Sequence, residues 1–115
     1  MATLRISPEV QRDLEGIKEY IETELENSTA AQNIVSKIVK DMYGLETFPD
    51  MGAPLSSIME VQTDYRFLVS GKYLVFYRHV KGVVYVIRVL YGKRDYIKIL
   101  FGDLPEENIG LDKEI

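Results

Sequence analysis

From Val10 onward, apolar residues return every third or fourth position, at Val10, Leu14, Ile17, Ile21 and Leu25. This spacing traces one stripe of an amphipathic helix. Glu15, Glu19, Glu22 and Glu26 populate the opposite face. Ser7-Pro8 ahead of it reads as an N-cap followed by proline at the first helical position, and the helix is expected to end near Asn27. Ser28 or Thr29 is expected to cap a second helix, whose stripe is Ile34, Ile38, Met42 or Tyr43, and Leu45. Phe48-Pro49 stops it. So few residues link the two stripes that an antiparallel helical hairpin is expected. Leu4–Ile6 is a short strand candidate, and Asp50 to Ser57, with Gly52 and Pro54, reads as a loop.

Beyond Asp64 the pattern changes from helical to alternating. YRFLV, YLVFYRHV and VVYVIRVLY are three runs rich in Val, Tyr, Phe and Ile, as half-buried strands require. Ser70-Gly71 and Lys81-Gly82 are placed as hairpin turns, and Gly92 ends the third run. Asp95 is positioned to cap a short helix, Tyr96 to Phe101. The order β-α-α-β-β-β predicts an α+β fold, with a helical hairpin packed on a mostly antiparallel sheet. Residues 1–101 are read as a single domain and residues 102–115 as an acidic C-terminal tail.

Alternation also sorts side chains by face. Two-residue turns at the two expected sites set Arg66 opposite Val75, and Val75 opposite Arg88, in one row. One face then carries Arg66, Leu68, Tyr73, Val75, Tyr77, His79, Val84, Val86, Arg88 and Leu90. The other carries Phe67, Val69, Leu74, Phe76, Arg78, Val83, Tyr85, Ile87 and Val89. The second set is the more apolar and is expected to receive the helices. The first, with its arginines and tyrosines, is expected to be a binding surface.

Charge sharpens this picture. Residues 1–64 hold 5 Lys+Arg against 12 Asp+Glu, whereas residues 65–101 hold 8 Lys+Arg against Asp95 alone. The last 14 residues hold Lys113 against 5 acids. A formal net charge of −4 therefore hides a basic sheet between two acidic segments. Local fields of this kind select partners. With no cysteine, disulfides and thiolate metal sites are excluded, and His79 as the single histidine argues against a histidine-based metal cluster, so no metal or cofactor is expected. No apolar run approaches the roughly 20 residues that cross a bilayer, and the N-terminus lacks a signal-peptide core. A cytoplasmic protein without membrane attachment is expected.

Arg66, Arg88, Lys93 and Arg94 form the strongest candidate constellation, because arginine's planar fork suits phosphate or carboxylate groups. The competing structural reading pairs them with the acidic helices or tail. Tyr73, Tyr77 and Tyr91 could stack on bases, fill a protein interface, or serve as ordinary strand tyrosines. His79, at a hairpin end, is read as a solvated histidine before a general base.

The segments SPEVQRDLEGIKEYI, LETFPDMG and YRFLVSGKYLVFYRHVKGVVYVIRVLYGKRD, in this order, resemble the RelE/ParE superfamily of toxins from bacterial type II toxin–antitoxin modules. The likeness runs from about Leu4 to Phe101. It implies a compact toxin held inactive by a cognate antitoxin that wraps part of itself around it in a hetero-oligomer. In RelE-like members, which cut messenger RNA on the ribosome, basic sheet residues and a C-terminal tyrosine or histidine do the chemistry. Arg66 and Arg94 stand at two such basic positions and are the catalytic candidates that the resemblance offers. Leu68 and Tyr73 stand where further basic residues belong, and the C-terminal His-Tyr pair is missing. ParE-like members poison DNA gyrase without that set, and the helical hairpin and the RVLYGKRD ending are closer to this branch. The resemblance thus implies growth inhibition by gyrase poisoning. The alternatives are a messenger RNA endoribonuclease and a non-toxic, antitoxin-binding relative. Arg66, Tyr73, Tyr77, Arg88, Lys93 and Arg94 are the expected antitoxin- or target-binding residues. Arg66→Ala with Arg88→Ala is expected to abolish toxicity while leaving the fold intact.

Overall fold

A computed structural model describes residues 1–58, 60, 62–92 and 96–101. The acidic tail and the Lys93-Arg94-Asp95 run lie outside the described residues. Strand β1 (Thr3–Ile6) leads into helices α1 (Pro8–Glu24) and α2 (Ser28–Tyr43), then strands β2 (Ala53–Pro54), β3 (Arg66–Ser70), β4 (Tyr73–Val80) and β5 (Val83–Tyr91), and helix α3 (Tyr96–Phe101). The sheet order is β1-β5-β4-β3-β2, with β1 parallel to β5 and the other pairs antiparallel. The helical hairpin on a mostly antiparallel sheet is therefore present. The loop expected over Asp50 to Ser57 contributes a fifth, two-residue strand, β2, paired with β3 through Ala53↔Phe67 and Pro54↔Arg66.

Helix ends differ locally from expectation. Ser7 occupies the N-cap position of α1 but makes no capping bond, because its hydroxyl donates to the Ile87 carbonyl at 2.8 Å and ties the helix start to β5. α2 is capped one residue earlier than expected, by Asn27, whose Oδ1 accepts from the Ala30 N–H at 2.9 Å. α1 stops at Glu24, so Leu25 leaves the stripe and is 59% exposed.

The largest correction concerns the sheet faces. The first turn is Gly71-Lys72, with Gly71 at φ +60°, so Ser70 faces Tyr73 and Arg66 faces Tyr77 rather than Val75. A two-residue shift preserves which face each side chain takes. The second turn is Lys81-Gly82, with both residues at positive φ as a type I′ turn requires. Between Phe76 and Tyr77 the β4–β5 ladder slips by one residue at a β-bulge. Arg88 consequently stands opposite Phe76 and Leu90 opposite Leu74, on the reverse face from Arg66. The row of Arg66, Val75 and Arg88 does not form.

Nor do the helices take the expected face. Val10, Ile38, Met42 and Leu45 pack against Val75, Tyr77, Val84, Val86 and Val89, all buried. The face set aside for binding is the one the hairpin covers. The other face carries a second core of Leu55, Phe76 and Leu90, joined by Tyr65, Phe67 and Leu74 and by Ile99, Leu100 and Phe101 of α3. Both faces are therefore partly dry. Val, Tyr and Leu appear on each, which is why apolar content alone misassigned them.

Candidate functional site

The arginines of the sheet go to three different places. Arg66, at the start of β3, turns its guanidinium onto the incoming loop: Nη2 donates to the Gly52 carbonyl at 2.6 Å and to the Asp50 carbonyl at 3.2 Å. Its Nε lies 3.4 Å from the Tyr77 hydroxyl. That hydroxyl, on a fully buried ring, accepts the Gly52 N–H at 3.0 Å. His79 completes the cluster, with Nδ1 3.0 Å from Asp50 Oδ1. The hydrogen bond from His79, aided by the charges of His79 and Arg66, holds the Asp50 carboxyl below its ordinary value. His79 at the hairpin end is thus a partner of Asp50 rather than a solvated bystander. Sequence offered no signal for this, because the two residues are 29 positions apart and meet only through the path of the loop.

Arg88 reaches past the end of β1, where β5 becomes the sheet edge, to Asp13 on α1. Its Nε and Nη2 each lie 2.8 Å from a carboxylate oxygen, and Oδ2 also accepts the Val89 N–H at 2.9 Å. Asp13 is only 10% exposed. The hydrogen bonds that Arg88 donates to Asp13 raise its pKa further above an already high value. Arg78, also on the outer face, makes a fork with Asp64, at 2.8 Å for both bonds.

Tyrosines divide as well. Tyr77 is buried and structural, which removes it from the expected contact set. Tyr73 and Tyr91 meet edge to face, with ring centroids 5.7 Å apart. Burial, and then the nearby phenols of Tyr91 and Tyr20, push the Tyr73 hydroxyl pKa up. Tyr20, exposed on α1, is near enough to contribute to that shift. The candidates Lys93 and Arg94 lie outside the described residues.

Three aspartates give the fold an acid-side signature. Asp50 is lowered as described. Asp64 is lowered chiefly by the hydrogen bond from Arg78, against a smaller desolvation effect. For Asp41, desolvation by burial raises the pKa, but hydrogen bonds from Lys37 and Ser70 together with the charges of Lys37 and Lys40 outweigh it, and the net direction is down. A folded pKa below the unfolded one contributes stability that is present above the unfolded value and lost as pH falls through the folded value. The melting temperature is therefore expected to hold on the neutral side and to fall once pH drops below about 4, near the ordinary aspartate pKa. Asp64→Asn should remove part of that slope. A melting temperature constant from neutral pH to about 3, followed by circular dichroism, would contradict this.

A model of the ParE toxin family of type II toxin–antitoxin systems, parDE, matches residues 4–96. The chain belongs to this family. No curated protein matches it in sequence. Among solved structures, this ParE-family chain resembles one from the chromosomal ParDE toxin–antitoxin system of P. aeruginosa. The TM-score is 0.66 at 19% identity, covering 79% of this chain and 96% of that one. It also resembles a chain of the RelBE2 toxin–antitoxin complex from Mycobacterium tuberculosis, with TM-score 0.56 at 21% identity, covering 78% and 96%. At these identities the likeness establishes the shared α+β fold. Among the described residues, no helix of the ParE-family fold is long and apolar enough to cross a membrane.

Proposed function

We propose that this ParE-type toxin acts in the cytoplasm by poisoning DNA gyrase, and that a cognate antitoxin neutralises it in a hetero-oligomeric complex. One observation carries the preference for target binding over RNA cleavage. Three of the four described sheet arginines are engaged within the fold: Arg66 on two backbone carbonyls, Arg78 on Asp64 and Arg88 on Asp13. Cleaving a phosphodiester through its 2′-hydroxyl needs cations open to the developing charge, beside a base within reach of the hydroxyl. Guanidiniums already holding carboxylates and carbonyls would have to give up those bonds first. Tyr73, Tyr91 and Tyr20 offer a contact surface at one end of the sheet, and Lys93 and Arg94 follow Tyr91 in sequence. These are the residues we assign to target or antitoxin contact.

Messenger RNA cleavage is the second reading, and the His79–Asp50 pair beside Arg66 is the observation that favours it. Expression of the chain without its antitoxin tests the first reading in cells. Growth should stop and double-strand breaks should accumulate in the DNA, and co-expression of the antitoxin should reverse both. Growth arrest with intact DNA would count against gyrase as the target.

A further inference from the structure

Three exposed apolar side chains gather around Gly44, just past the end of α2. Tyr43 is 50% exposed, Phe48 63% and Met51 48%. Their neighbours Met42 and Leu45 are buried in the core, so this stretch of chain is fixed from beneath. The Phe48 N–H donates to the Gly44 carbonyl at 3.0 Å, and the Met51 N–H donates to the Phe48 carbonyl at 3.0 Å. The Met51 methyl lies 3.5 Å from where a Cβ on Gly44 would stand. Single exposed hydrophobic residues are ordinary, but a contiguous group of them marks a contact site. Phe, Tyr and Met are also residue types enriched at protein interfaces.

The loop that carries Met51 is held in place. Met51 sits between Asp50 and Gly52, and both are fastened. Arg66 donates to the two carbonyls, the Tyr77 hydroxyl accepts the Gly52 N–H, and His79 meets the Asp50 carboxylate. Arg66, Tyr77 and His79 therefore act as positioning residues for the patch. A surface ordered in advance loses less conformational entropy when a partner binds. It also lies at the far end of β4 from Tyr73, since His79 is six residues along the strand, or roughly 20 Å.

Two features select the partner. The three side chains leave on the order of 300 Å² open, against the roughly 800 Å² per partner of a stable interface. Two copies of this chain meeting through the patch alone fall short of that, so the patch suits an anchor point for a longer segment of another protein. Lys40 stands one helical turn before Gly44, exposed and without an ion pair among the described residues, while its neighbour Asp41 is taken by Lys37 and Ser70. The complementary segment carries apolar side chains with a carboxylate at the Lys40 end. We propose that an acidic and apolar segment of the cognate antitoxin anchors on the patch of Lys40, Tyr43, Phe48 and Met51, leaving the end of the sheet with Tyr73 and Tyr91 to the target. The inference rests on the reading that an antitoxin neutralises this chain.

Titration calorimetry of the full chain with the full-length antitoxin measures the contact. Phe48→Asp changes only an exposed side chain, so its melting temperature should stay within about 2 °C of the parent's. Its affinity for the antitoxin should fall about 30-fold, as for an interface anchor. Lys40→Glu should lower the affinity about 3–10-fold and flatten its dependence on salt. Lys72→Glu, exposed in the turn at the opposite end of β4, should leave it unchanged. In cells Phe48→Asp should still arrest growth, and co-expressed antitoxin should no longer relieve the arrest. A loss of less than about tenfold for Phe48→Asp would overturn the proposal. So would an affinity that Lys40→Glu leaves unchanged, because the occupant would then not be acidic. Loss of growth arrest in the folded Phe48→Asp variant would assign the patch to the target instead, and the proposal fails. If the unsubstituted chain does not bind the antitoxin at all, the reading of a neutralised toxin fails, and the proposal with it.

Discussion

Asp13→Ala is expected to destabilise the fold by about 3 kcal/mol, among the largest effects of any single polar substitution in this chain. The Asp13 carboxylate accepts both arms of the Arg88 fork and the Val89 N–H, so its removal strands a guanidinium and a backbone donor together. Arg88→Ala should cost a similar amount, because it leaves a carboxylate that is only 10% exposed without its cation. Arg88→Lys should recover only part of the loss, since an ammonium cannot make the two parallel bonds. The double substitution should cost less than the two single ones combined, the signature of a direct pair. Urea denaturation of the four variants measures this. Additive losses, or an Arg88→Ala variant as stable as the parent, would show that the pair contributes little. The sequence-based expectation that Arg66→Ala with Arg88→Ala leaves the fold intact is therefore replaced. Loss of toxicity in that double mutant would report unfolding, because both arginines hold the sheet to its surroundings.

Gly52→Ala is expected to be comparably severe, again about 3 kcal/mol, or roughly 10 °C in melting temperature. A Cβ at Gly52 would press on the Phe67 carbonyl oxygen and lie 2.8 Å from the Tyr77 hydroxyl and 2.9 Å from the Phe67 carbonyl carbon. Two of these three obstacles are backbone atoms, which cannot swing aside. The methyl group would push β2 off β3 and break the bonds that Gly52 makes to Tyr77 and Arg66. Gly16→Ala provides the contrast. It lies inside α1, where nothing stands within 4 Å of the new Cβ, and it should stabilise the protein by about 0.5–1 kcal/mol. Thermal unfolding of both variants tests the account of the loop. Equal melting temperatures would show that β2 yields freely and that the Arg66 cluster is not what fixes it.

These two sites show where sequence reading succeeds and where it stops. Helical stripes such as Val10, Leu14, Ile17 and Ile21 are local patterns, and all four side chains pack where the stripe places them. The strand runs and the second turn are likewise written in short stretches of chain. The identity of the buried sheet face was not legible, since it depends on the bulge between Phe76 and Tyr77 and on α3 covering the other side. A single slipped residue moved Arg88 from the row of Arg66 to the reverse face, and nothing in VVYVIRVLY marks where the slip falls. Charge gave a similar half-answer. The excess of Lys+Arg in the sheet is real, but Arg66, Arg78 and Arg88 turn out to be fastening points. Their partners Asp50, Asp64 and Asp13 come from the acidic half of the chain.

We propose that this toxin acts by binding gyrase, with Arg66, Arg78 and Arg88 committed to the fold. Purified chain added in parallel to gyrase with relaxed plasmid, and to ribosomes programmed with messenger RNA, tests it most directly. The account predicts loss of supercoiling with trapped, cleaved DNA in the first assay and no new RNA ends in the second. Codon-aligned RNA cuts, with supercoiling unaffected, would contradict it.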